Sequence, residues 1–376
     1  MTDYMQPWQV QEQDFPRNGT DQEKMAFFVR YAVLAPSIYN TQPWHFAVSD
    51  NQVHVYADRR HALAVIDPDD RQLNMCCAAA LFSLRLAIHY FGYKETTELI
   101  PDPQNPDLLA RVKLGAEREM VEDDIKALFK GVTTRHTNRG AFSAREVPED
   151  VLHALKSEAA KEGAWFHVCS PIERKLVVRM VSEADHIQSS NKHFRRELAS
   201  WVDQRRWQSR DGMPNLGLGY NDIMGNFKPT VARRFCNENN EAASDETLDA
   251  NTQIIGVIGV SSGGLQERLS AGQALMRVLL RAEIEGLAIS TLNQACEVPE
   301  LRLRLHDELE PQGRAQMIMR IGYGGTPSYT PRRAMENVLS YGFEETKPKL
   351  EPQKGDGGFQ GPSLLSRLLR RKTKKA

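Results

Sequence analysis

Residues 71–93, RQLNMCCAAALFSLRLAIHYFGY, decide the fold because residues 267–287, ERLSAGQALMRVLLRAEIEGL, reproduce them. In the first stretch Leu73, Cys77, Ala80, Leu81, Leu84 and Ile88 fall at helical spacing, and Gly92 suits the left-handed position that closes a helix. In the second, Leu275, Val278, Leu279 and Ala282 share one phase and Gly286 is the stop. Aligning Gly92 with Gly286 superposes Ala80 on Ala274, Leu81 on Leu275 and Leu84 on Val278. The offset is far too long for a solenoid repeat, so the chain reads as two tandem copies of one domain.

Outward from the helices the order of elements repeats as well. Each copy has a helix followed by a strand near its start, MAFFVRYAVLA then WHFAVSD in the first, VLHALKSEAA then AWFHVCS in the second. Each ends on a strand closing at glycine, ARVKLG at 110–115 and MIMRIGYGG at 317–325. The strand WHFAVSD turns at Asp50 and Asn51 into QVHVYAD, a hairpin signal with alternating side chains. These patterns divide the chain into residues 1–125, residues 126–335 with an unmatched insertion at 185–250, and a tail at 336–376 that is poor in apolar residues and expected to be disordered. An insertion rich in aromatics and glycine suits a lid better than a plain linker.

The 376 residues carry a formal net charge of -1, which argues against broad nucleic-acid binding. Five cysteines occur with no metal-site spacing, so reduced thiols and no metal are expected. Residues 1–15 lack the apolar core of a signal peptide, and a cytoplasmic protein is expected.

The polar residues concentrate in a place where a simple turn would not need them. LAPSIYNTQPWHF, residues 34–46, sets Ser37, two amides and two prolines between a helix and a strand. It resembles the A-P-S-x-x-N-x-Q-P-W segment of the FMN-dependent nitroreductase family. TTRHTNRGAF at 133–142 is similar to that family's R-x-S-x-R phosphate-binding segment, and RIGYGGTPSYTPRR at 320–333 looks like its closing strand, glycine turn and basic pair. The first copy lacks the R-x-[ST]-x-R segment and the second lacks the serine, asparagine and glutamine, so two complementary losses leave one complete site. That arrangement resembles the single-chain, twin-domain, Acg-like branch.

The resemblance implies an α+β fold: two tandem nitroreductase-like domains, mixed sheets flanked by helices, forming an intramolecular pseudo-dimer around one FMN. It implies Arg135, Thr137 and Arg139, with Arg332 and Arg333, at the phosphate. It places Pro36, Ser37 and Asn40 along the ribityl chain and ring, Gln42 as a contact or a lock on the turn, and Ser290 and Thr291 near flavin N5. The residue types suit the task, since a guanidinium fork matches phosphate oxygens and a carboxamide offers both donor and acceptor to a flavin edge. The implied activity is NADPH- or NADH-dependent reduction of a small electrophile such as a nitro compound or quinone, with no catalytic side chain because the flavin carries the chemistry. The alternative is an FMN-sequestering protein whose insertion closes over the flavin.

Two further motifs compete. GVSSG at 259–263 fits a nucleophile elbow with Ser261, though His306 is the only histidine after it and the turn equally serves as a helix entry capped by Ser261 or Ser262. His186 and His193 are too few for a metal site. In the tail, leucines alternate with basic residues over 363–375, a pattern compatible with weak contact to an anionic membrane surface.

Overall fold

The first half runs α1 (Asp21–Ala32), β1 (Trp44–Ser49), β2 (Gln52–Ala57), α2 (Arg71–Tyr90), β3 (Tyr93–Leu99) and β4 (Leu108–Glu117). Then come α3 (Asp123–Thr134), α4 (Glu149–Lys161), β5 (Trp165–Val168), α5 (Pro171–Ser190), α6 (Lys192–Val202) and α7 (Arg206–Ser209). The chain continues with β6 (Ile254–Val260), α8 (Leu265–Ile284), β7 (Ala288–Thr291), α9 (Gln294–Glu297), α10 (Pro299–Glu308), β8 (Arg314–Gly322) and β9 (Leu339–Tyr341). This computed structural model describes residues 3–138, 142–203, 205–213, 254–309, 313–325 and 329–343. The described residues up to 342 form one compact unit that holds both halves.

The matched stretches are the helices α2 and α8, each 20 residues long and each followed by its glycine in the left-handed region, Gly92 at φ 88° and Gly286 at φ 69°. Both helices close with the glycine N–H donating three residues back, Gly92 to His89 O and Gly286 to Glu283 O. α2 is buried almost all round, which explains why it is apolar enough to cross a membrane by composition while serving as a core helix. Its close partner is α8. At Gly272 a Cβ would stand 2.3 Å from Met75 O and 2.7 Å from the Ala78 Cβ, so the helices touch through backbone. Gly272→Ala is therefore expected to cost about 1–3 kcal/mol by wedging the pair apart. A urea melt checks this, and an unchanged midpoint would mean the helices can separate freely there.

Sheet one has the order β3-β4-β2-β1-β9 and sheet two the order β5-β6-β8-β7. The β1–β2 hairpin turns where expected, with Ser49 opposite Gln52 and Asp50 left-handed at φ 49°. In sheet one β9 lies parallel to β1 and the other pairs are antiparallel. In sheet two the strands are antiparallel, and a parallel bridge joins Thr137 to Ile289 at its edge.

Strand β9 corrects the expected start of the tail at 336. Residues 335–341 form a short 3-10 turn and a strand, with Val338 fully buried and its carbonyl accepting from Phe46 N at 2.7 Å. The rest of the tail, including the basic stretch 363–375, lies outside the described residues. The insertion also begins differently from its expected boundary at 185, because α5 runs unbroken from 171 to 190 behind a Ser170–Glu173 capping box with Pro171 in its first turn. Beyond it, α6 carries Phe194, Leu198, Trp201 and Val202 on one face, packed with Met213 against Tyr39, Leu63 and Ile66 of the first half. Glu197 fixes that docking by accepting from Val65 N and Ile66 N, each at 3.0 Å.

Candidate functional site

The 34–46 loop carries more backbone strain than any plain connector needs. Tyr39, Asn40 and Gln42 all have positive φ, at 48°, 55° and 51°, a conformation costly for residues with a Cβ and held only where the surroundings impose it. What imposes it here is a buried polar knot. Asn40 Nδ2 donates to Pro331 O at 3.0 Å and Gly212 O at 3.1 Å, while Asn40 Oδ1 accepts from Arg332 Nη1 at 2.9 Å. Gln42 Oε1 accepts from Arg333 N at 2.8 Å, and its Nε2 donates to Arg210 O at 2.9 Å. Arg332 also donates to Leu34 O and Ala35 O, and Arg333 to Gln42 O and Asn337 O. Ser37 Oγ accepts from Gln42 N at 2.9 Å.

Beside the knot opens a cleft of about 1030 Å³ of space continuous with solvent. Pro36, Ser37, Ile38 and Tyr39 of the strained loop line it, with Gln72, Met75 and Cys76 of α2. The second half contributes Thr137, Gln188 of α5, Leu275, Ser290, Thr291 and the α9 region, and the insertion beyond α5 contributes Phe194 and Met213. Both halves and the insertion thus build one wall each.

Of the residues singled out in the sequence, Pro36, Ser37, Thr137, Ser290 and Thr291 come together on the cleft. Asn40, Gln42, Arg332 and Arg333 do not line it. They are spent on the knot, which gives the loop its shape: their side chains bond the backbone and one another, Arg332 also donates to Thr330 Oγ1 and Arg333 to Asp58 Oδ2, and Arg332 Nε alone of these groups is buried with no partner among the described residues. Arg139 lies outside the described residues.

Arg135 does not line the cleft either, although Thr137 two residues on does. The arginine follows α3 as its C-cap residue and is 3% exposed, yet its Nε and Nη1 find no hydrogen-bond partner among the described residues. Burial pulls its pKa down to about 10, with Glu283 acting weakly the other way. Arg332 lies near enough that the two cations oppose each other, and burial with this repulsion takes Arg332 down to about 9. His136 packs against the Trp8 and Tyr329 rings, with centroids 4.7 and 4.3 Å away, and those two rings meet each other at 5.4 Å. Burial first, then Arg135 and Arg332, push its pKa down to about 3. Two buried guanidiniums and a neutral histidine thus meet here with Glu283 as the opposing charge on Arg135.

The depressed histidine has a consequence for stability. Its folded pKa lies below the ordinary 6.5, so from pH 6.5 down towards 3 the unfolded chain takes up a proton that the folded chain refuses. His54, pushed down to about 4 by burial and Arg111, acts in the same direction. Stability is expected to be fully present above pH 6.5 and to fall as the pH drops through that window. His136→Gln should flatten the fall in denaturation midpoint between pH 7 and pH 5, and an unchanged slope would contradict the assignment.

Three cleft or near-cleft groups were not evident from the sequence. Gln294 is 4% exposed and lines the cleft with neither amide atom partnered among the described residues. Glu297 accepts from Gln188 Nε2 at 2.7 Å and Gln72 Nε2 at 3.3 Å, tying α5 to α2 beside the cleft. Arg320, opposite Ser290 in the β7–β8 pair, is fully buried with its guanidinium 4.1 Å from the Phe142 ring centroid. Gln294 falls three residues after Thr291 in STLNQ, a signal that was available; Arg320 inside MIMRIG looked like an ordinary strand position.

The competing motifs find little support. Ser261 and Ser262 are exposed, and α8 is capped by Gly264 rather than by either serine. His186 and His193 are exposed, and among the described residues no cluster of ligating side chains could hold a metal.

The fold and cleft define a two-sheet α+β protein in which both halves line a polar and apolar cleft. No family model matches the chain. It is 27% identical over 326 residues to the Mycobacterium tuberculosis H37Rv protein named "Putative NAD(P)H nitroreductase Rv3131", covering 85% of this chain and 92% of that one. It is 23% identical over 315 residues to "Putative NAD(P)H nitroreductase acg" of the same organism, covering 83% and 93%. Among solved structures, the FMN-dependent nitroreductase NfnB from Mycobacterium smegmatis in complex with NADPH matches 58% of this chain and all of its own, at 14% identity and a TM-score of 0.38. Over most of its length the chain is thus similar to proteins named NAD(P)H nitroreductase, the Acg protein among them.

Proposed function

We propose that residues 1–125 and 126–335 are tandem nitroreductase-like domains packed as an intramolecular pseudo-dimer, and that the cleft they share binds one FMN for NAD(P)H-dependent reduction of nitro or quinone-type electrophiles. The observation that carries the reading is Arg135, a buried cation whose Nε and Nη1 lack partners among the described residues, in the segment that resembles the family's phosphate-binding motif. A flavin monophosphate supplies the dianion that such a guanidinium lacks. The residues present fit the other end as well, since Gln294 offers a donor and an acceptor in the cleft and both are uncommitted among the described residues.

When bound, FMN supplies hydride acceptance and delivery at its ring. The chain's own residues do the rest. Arg135 holds the phosphate, with Thr137 adding a hydroxyl, and the Arg332 and Arg333 knot keeps the 34–42 loop in the shape that presents Pro36 and Ser37. Ser290, Thr291 and Gln294 orient the ring edge, and Met75, Leu275 and Phe194 exclude water beside it. Positioning of this kind raises the rate without a side-chain acid or base.

Phe194 and Met213, which come from the insertion and line the cleft, favour a second reading in which the insertion covers the flavin and turnover is low. Anaerobic addition of NADPH, then NADH, to the FMN-loaded protein separates the two. Loss of the flavin absorbance band supports the reductase, a yellow protein that never bleaches supports sequestration, and failure to bind added FMN overturns both.

A further inference from the structure

Arg71 and Gln316 each precede a cleft-lining residue, Gln72 and Met317, yet line a different pocket. This second pocket encloses about 570 Å³ of space open to solvent, and its polar walls are Arg71, Arg268, Arg302, Arg314, His306 and Gln316. Four guanidiniums therefore meet around one hollow. None of the four forms an ion pair with a carboxylate among the described residues. The hydrogen bonds of Arg71, Arg268 and Arg302 go to neutral acceptors, which hold those three cations in place without discharging them. Arg71, 4% exposed, donates to Gln316 O, Gln316 Oε1, the Met75 thioether and Cys296 O. Arg268 donates to Gly263 O at 3.0 Å and Asp69 O at 2.8 Å, and Arg302 to Cys296 O at 3.4 Å. Burial lowers the Arg302 pKa, and Arg71 and Arg314 lower it further while Cys296 and exposed Asp69 oppose them. The cations are held near one another against their mutual repulsion. Arg314 is exposed at the rim, so the pocket is open to a diffusing ligand.

We propose that this arginine pocket is a binding site for a phosphate-bearing small molecule, separate from the cleft. Several fixed guanidinium forks around one hollow suit the oxygens of a phosphate, which accept paired N–H donors, better than a single carboxylate. The site does not depend on the flavin reading, because none of its arginines lines the cleft. Its connection to the cleft is through Arg71, which bonds the carbonyls of the residues just before Glu297 and Met317.

The test is calorimetric titration of the FMN-saturated protein with inorganic phosphate and with AMP, at constant ionic strength set by chloride. Saturable binding is expected. AMP binding more tightly than inorganic phosphate would mark a nucleotide as the source of the group, and equal binding would mark free phosphate. Arg302→Gln and exposed Arg314→Gln should each weaken binding about tenfold or more. Arg304→Gln, which removes the same charge from the same helix but pairs outside the pocket with Glu183, should not. Binding should also persist in flavin-free Arg135→Met protein, which separates this pocket from the flavin phosphate end. No saturable binding up to about 10 mM, or equal weakening by Arg304→Gln and Arg302→Gln, would overturn the proposal.

Discussion

Replacing Arg135 by Met is expected to stabilise the flavin-free protein while weakening FMN binding at least about a hundredfold. The two effects share one cause. In the absence of an anion Arg135 is a buried charge with two guanidinium nitrogens unpartnered among the described residues, opposed by Arg332 and relieved only weakly by Glu283. Burying a charge without a full set of partners is costly, and an apolar side chain of similar length removes that cost, so a gain of about 1 kcal/mol or more is expected in urea melts. With FMN present the same guanidinium would meet a phosphate dianion in a dry setting, where a charge-assisted bond is strongest. A residue kept for folding would behave in the opposite way, losing stability on substitution. If Arg135→Met destabilises the flavin-free protein and leaves FMN affinity unchanged, the arginine is structural.

Asn40→Ala should do the reverse, with stability as its main readout. The substitution removes the acceptor of Arg332 Nη1 and the donors to Gly212 O and Pro331 O in a setting 6% exposed. A charged group losing one of its acceptors and two carbonyls losing a donor, one of them keeping Arg332, should together cost about 3 kcal/mol. The strained backbone at Tyr39, Asn40 and Gln42 loses part of what enforces it at the same time. Release should reach the insertion, because Gly212 N also donates to Asn40 O at 3.1 Å. Trypsin is therefore expected to cut at Arg210 faster in the variant. FMN affinity should fall less than in Arg135→Met, through the loop's shape rather than a lost contact. A variant with wild-type stability and a larger loss of FMN binding would return Asn40 to the role of a direct flavin ligand.

The helices, the hairpin and their order were legible because their signals are local. Periodicity placed α2 and α8, and Gly92 and Gly286 marked their ends because a left-handed residue favours glycine. The loop at 34–46 was legible as unusual but not as a lock. Its partners Gly212, Pro331, Arg332 and Arg333 lie far along the chain, and a carboxamide that binds a ligand carries the same letters as one that binds backbone. β9 was hidden by composition, since three residues at the edge of a polar tail give no period, and only its pairing with β1 makes it a strand. Arg320 was hidden for the opposite reason, as a single cation in an apolar strand whose environment only the packing of Phe142 reveals.

Complementary losses between the halves lead to the central claim, that the two halves together make one flavin site. Titration of the flavin-free chain with FMN, followed by flavin fluorescence quenching at protein concentrations well above Kd, measures it directly. The account predicts a sharp equivalence point at one FMN per chain in the wild type, and Arg135→Met should bind too weakly to give one. Two FMN per chain would mean that each half carries its own site, and no binding at all would contradict the account.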